Sequence, residues 1–198
     1  LIEEHVYSTG VDPKIPPVDL LAGNYEEVLN QHKSPSAKAS EIENAIKYHI
    51  NINIEDDPEY YKNLSKRLED IIREYGEKWE ELVQMLLNFR DSIETDHQKQ
   101  AADLGLSKTE LAFYNILISE LGGEDAVSDS TEPKVKEVVQ SLVQMLEDAT
   151  QIVDFFNKWD EQKRVKIDIK HKIIENFDES LVIPITKRFM ELAETKFK

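Results

Sequence analysis

Residues 56–98, DDPEYYKNLSKRLEDIIREYGEKWEELVQMLLNFRDSIETDHQ, decide the fold class. Asp57 followed by Pro58 is a helix-start signal: a short side-chain acceptor caps free backbone amides, and proline fixes the first helical φ without losing a needed donor. After it, Tyr61, Leu64, Leu68, Ile71, Ile72, Tyr75, Trp79, Leu82, Val83, Leu86, Phe89 and Ile93 recur at three- or four-residue steps. That is the period of one helix face. The phase runs through Gly76, where glycine costs about 1 kcal/mol relative to alanine in a helix. The pattern predicts one long helix from 58 to about 98, with a weak point at Gly76 where it can bend.

The flanks read the same way. Ser34 and Pro35 repeat the start signal, and Ile42, Ile46, Ile50 and Ile54 then form a stripe at four-residue spacing. Lys38 and Lys47 alternate there with Glu41 and Glu43, so this amphipathic helix carries little net charge. Ser107 and Glu110 form an S-x-x-E capping box before Leu111, Tyr114, Leu117, Ile118 and Leu121, and Gly122-Gly123 closes that helix. Beyond the acidic loop 122–132, helices are expected from about Glu132 to Ala149, from after Asp154 to about Phe177, and from near Pro184. The expectation is an all-α, irregular bundle of six or seven helices around one long, kinkable central helix. It divides into a connector at 1–23 made extended by DPKIPP, a helical domain at 24–121, the acidic loop, and a C-terminal helical segment at 133–198 packed on that domain.

The chain has 198 residues, a formal net charge of −16 and no cysteine. The last property removes thiolate nucleophiles, disulfides and cysteine metal sites. Neither a run of the roughly 20 apolar residues that cross a bilayer nor a signal-peptide pattern is present, so the expected setting is cytoplasmic, with no membrane partner. A start at Leu1 suggests a piece of a longer polypeptide. The acidic total argues against non-specific nucleic-acid binding by the chain as a whole. Segments 1–54 and 55–160 are net −4 and −14, whereas 161–198 is net +2. Within that basic end Lys163, Lys166 and Lys170 fall within about 60° on a helix, with Arg164 and His171 on an adjoining strip. These five are the candidate DNA or partner contact, and a solvated face is the alternative reading.

Motifs for chemistry are sparse. There is neither a G-x-x-x-x-G-K-[ST] loop nor a G-x-G-x-x-G turn to cradle phosphates. Glu94-Thr95-Asp96-His97 matches half of a di-iron E-x-x-H pair, but no second copy exists, which favours a solvated helix end. Glu161-Gln162-Lys163 has the E-x-K spacing of metal-dependent nucleases, yet in a helix those two residues point about 200° apart. His5, His32, His49, His97 and His171 are scattered. LVQML occurs at 82–86 and 142–146, but its flanks differ and no repeat period emerges. No catalytic, cofactor-binding or metal-binding residue is assigned.

IPPVDLL (15–21), SPSAKASEIENAIKYHI (34–50), DDPEYYKNLSKRLEDII (56–72) and LGLSKTELAFYNIL (104–117) occur in this order and together resemble the region C-terminal to the motor domains in the restriction subunit of type I restriction-modification enzymes. VDFFNKWDEQKRVKIDIKHKII (153–174) resembles that family's last helical segment. The resemblance implies a non-catalytic helical domain of an ATP-dependent, Mg²⁺-using DNA translocase and endonuclease. It also implies docking onto the methyltransferase and specificity subunits, coupling to the upstream motor, and DNA nearby in the assembled complex. The remaining readings are a free-standing helical interaction scaffold and a bundle enzyme with a metal site.

Overall fold

The structure, a computed structural model, describes residues 20–22 and 25–198. The DPKIPP connector lies outside the described residues. A five-residue α1 (Tyr25–Leu29) precedes seven longer helices: α2 (Pro35–Asn53), α3 (Pro58–Tyr75), α4 (Trp79–Leu104), α5 (Lys108–Leu121), α6 (Glu132–Thr150), α7 (Trp159–Asn176) and α8 (Val182–Phe197). No strand occurs among the described residues. The caps form as the sequence dictates: Ser34 Oγ accepts from Ala37 N at 3.2 Å, Asp57 Oδ1 from Tyr60 N at 3.1 Å, and Ser107 and Glu110 close a reciprocal box.

The expected single helix from 58 to 98 is two helices. At Gly76 the backbone turns to φ 47°, ψ −117°, a conformation open to glycine and strained for residues bearing a Cβ, and its N–H donates to Ile72 O. The chain folds back. The Tyr60 hydroxyl, near the start of α3, donates to Ile93 O late in α4, and Arg67 Nη1 lies 3.5 Å from Asp96 Oδ2. One straight helix would hold Tyr60 and Ile93 about 50 Å apart. The apolar period continues through the break because both helices bury their stripes in the same cluster. A second correction concerns the stretch after Asp154, which takes a left-handed conformation (φ 57°) and leads into a 3₁₀ turn at Phe155–Asn157, so that α7 starts only at Trp159.

Buried apolar side chains form two clusters. Leu20, Tyr25 and Leu29 join the stripes of α2 (Ile42, Ile46, Ile50), α3 (Leu64, Leu68) and α4 (Leu82, Leu86, Phe89, Ile93) in the first. The second gathers α5 to α8 with Ala101 and Leu106. The dividing line therefore falls within α4, and α5 sends its apolar face to the helices that follow the acidic loop. α4 is the strut common to both.

Polar side chains fill the seam between the clusters. Asp57 and Glu59 at the start of α3 are buried, as few charged residues are without partners. Asp57 Oδ2 accepts from Asn115 Nδ2 on α5 at 2.8 Å and lies 3.0 Å from His97 Nε2 on α4. Arg188 on α8 donates to Glu59 and, at 2.7 Å, to Glu120 on α5. Lys196 Nζ reaches Asp56 at 2.7 Å. Burial raises the Glu59 carboxyl, but the Ser119 hydrogen bond and the Arg188 guanidinium outweigh it and hold the carboxyl below its ordinary value.

Candidate functional site

α7 turns Val165, Ile169 and Ile173 inward at four-residue spacing, and its candidate cations are thereby distributed over the remaining surface. The five do not form one patch. Lys163 Nζ sits 4.9 Å from the centroid of the exposed Trp159 ring, a cation–π geometry. Arg164 lies 3.3 Å from Glu161. His171 borders a shallow depression toward α6, with Met145, Asp168 and Glu175 among its neighbours. Lys166 and Lys170 instead face α8 across a groove of about 390 Å³.

That groove has an apolar floor and a charged rim. Phe156 and Met190 line it, and Ile183, 76% exposed, stands at its edge. On the α8 side Lys187 lies 3.8 Å from Glu191, and Glu194 lies 2.7 Å from Lys198, so those charges are paired locally. Neither Lys166 nor Lys170 has such a partner among the described residues. Further round α7, Ile167 and Ile174 are exposed, so the helix carries aliphatic residues on its solvent side as well as its buried one.

The two motifs that suggested metal chemistry lead elsewhere. Glu94 is 3.7 Å from Lys108, while His97 is drawn to Asp57 in the seam. Beside them lies a polar pocket of about 250 Å³, bordered by His49, Tyr61, Lys108 and Lys196. Glu161 is engaged by Arg164 and Lys163 by Trp159, so the E-x-K pair does not converge on one point. Among the described residues no group of three or more His, Asp or Glu side chains is placed to hold a metal ion. Nor is any described helix long and apolar enough to cross a membrane.

Comparison with known proteins bears on what such a bundle belongs to. The family model for the C-terminal region of type I restriction enzyme HindI endonuclease subunit-like proteins matches residues 6–195. The chain belongs to this family. A protein of Methanocaldococcus jannaschii, whose name assigns it as the type I restriction enzyme MjaIXP endonuclease subunit, is 24% identical over 154 residues. The match covers 73% of this chain and 14% of that relative's length. No solved structure matches the chain.

Within this restriction-endonuclease C-terminal region, the side chains with the most demanding environments are those that sequence reading passed over. Asp57 is both the cap of α3 and a buried hub for His97 and Asn115. Arg188 was one cation among nine in the last segment, yet it links α3, α5 and α8. The only local signal was the Asp57-Pro58 start, because Asn115 and Arg188 lie 58 and 129 residues from the carboxylates they meet.

Proposed function

We propose that this region is a non-catalytic docking and coupling module. It would seat the endonuclease subunit on the methyltransferase and specificity subunits and tie that assembly to the motor domains of the same polypeptide. In this reading ATP and Mg²⁺ serve the rest of the polypeptide, which acts as a translocase and deoxyribonuclease in the cytoplasm, with DNA passing close to the assembled complex. The observation that carries the reading is the α7–α8 face of a family member: exposed Trp159, Ile167, Ile174 and Ile183 interleave with Lys163, Lys166 and Lys170 on an otherwise acidic chain. Exposed aromatic and aliphatic groups beside cations suit a protein interface, and opposite charge on the partner orients encounter.

The test compares the intact endonuclease subunit with one truncated before residue 20. We expect the truncated subunit to keep DNA-stimulated ATP hydrolysis and to lose co-sedimentation with the methyltransferase–specificity core. Full assembly and translocation by the truncated subunit would refute the reading.

A further inference from the structure

Lys166 and Lys170 border the groove, where lysine stems can lie along apolar surface with their ammonium groups in water, and neither ammonium has an ionic partner among the described residues. Three features of the groove converge. Its charges do not cancel: Lys187 and Glu191 are paired, Glu194 is taken by Lys198, and what is left over is positive on both counts. One of its apolar side chains is wet: Ile183 is 76% exposed, beside the half-buried Phe156 and the buried Met190. Thr186, on the floor, is only 5% exposed, and its hydroxyl has no hydrogen-bond partner. Buried hydroxyls are nearly always satisfied, so this one is a donor left over beside the groove, and an acceptor reaches it only if the side chains covering it shift.

We propose that the α7–α8 groove receives an acidic amphipathic segment of a partner protein. An aliphatic or aromatic side chain of that segment fills the space over Phe156 and Met190 beside Ile183. A carboxylate meets Lys166 and Lys170, and the Thr186 hydroxyl donates to an oxygen acceptor admitted as the floor side chains shift on docking. DNA fits less well. Phosphate contacts call for cations and backbone amides, and an apolar floor with a projecting isoleucine contributes nothing to them. This inference rests on the docking reading above and names the chemistry of what docks there.

The experiment places a photo-crosslinking benzoylphenylalanine at position 183 of the full endonuclease subunit and irradiates the assembled enzyme on DNA. We expect a crosslink to a protein segment rich in Asp or Glu and aliphatic residues. A crosslink to DNA, or none at all in a complex that has assembled, overturns the proposal while leaving docking intact. If truncation before residue 20 leaves assembly unaffected, the docking reading itself fails. In parallel, Lys166→Glu with Lys170→Glu should weaken assembly about tenfold or more, with the melting temperature of the free subunit unchanged. Thr186→Val separates fit from fold. Removing an orphan hydroxyl should raise the melting temperature of this region by about 2–4 °C, yet weaken assembly several-fold if the hydroxyl serves a partner. Assembly unchanged in both variants would overturn the proposal.

Discussion

Thr186 and Arg188 stand two residues apart on α8 and face different surroundings. Arg188 points into the seam, where Glu59 and Glu120 consume its charge. Thr186 faces the groove, where neither it nor Lys166 nor Lys170 has found a partner among the described residues. Both places mix polar and apolar groups. The difference is that charges in the seam are bound to one another across three helices and so hold the two clusters in register, whereas Lys166 and Lys170 at the groove are uncommitted. A buried ion left unpaired costs several kcal/mol, while an exposed one costs almost nothing, so the seam is where mutation should damage folding and the groove where it should damage binding.

The widest gap should appear with Arg188→Ala. It leaves Glu59 nearly buried without its guanidinium, and we expect a loss of about 3 kcal/mol in urea unfolding. A loss below about 1 kcal/mol would break the contrast, by showing that the seam is hydrated. The same interaction has an acid signature. Because the folded Glu59 carboxyl titrates below its ordinary value, its contribution is complete above about pH 4.5 and disappears as pH falls through the folded value. Glu59→Gln should therefore flatten the acid side of the stability curve.

Asp57→Ala comes next, at about 2 kcal/mol. It removes the α3 cap and strands the Asn115 amide, and thermal unfolding followed by circular dichroism measures the loss. On the alkaline side, burial raises the Tyr25, Tyr61 and Tyr114 phenols to about 12, so each favours the fold below pH 10 and progressively less as pH rises toward 12. An alkaline transition, monitored by tyrosinate absorbance together with ellipticity, should fall in that window.

Gly76→Ala should cost about 1–2 kcal/mol, from backbone strain alone, since an added Cβ meets nothing within 4 Å. A gain in helicity and stability would mean that α3 and α4 prefer to fuse. The smallest effect belongs to the groove: Lys166→Glu with Lys170→Glu should change the unfolding free energy by less than about 0.5 kcal/mol. A larger change would place those lysines with the seam.

What the sequence determined by itself was local. The caps at Ser34, Asp57 and Ser107 and the three-four spacing of apolar residues specify helices, because capping and amphipathicity depend on groups within a few residues of each other. The family was legible too, in short stretches that keep their order and spacing. Gly76 was legible as the place where the helix could bend, but a full reversal there was not, because a periodic stripe looks the same whether it lies along one straight helix or along two that meet the same core; the positive φ and the contacts of Tyr60 with Ile93 and Arg67 with Asp96 separate them. Partner choice in the seam was equally hidden. Arg188 resembles every other surface arginine until α3, α5 and α8 converge around it, and Lys166 and Lys170 face α8 whereas Lys163 and Arg164 meet Trp159 and Glu161 of their own helix. Tertiary structure decided those roles, since electrostatic and packing energies depend on distance in space and burial, to which distance along the chain is no guide.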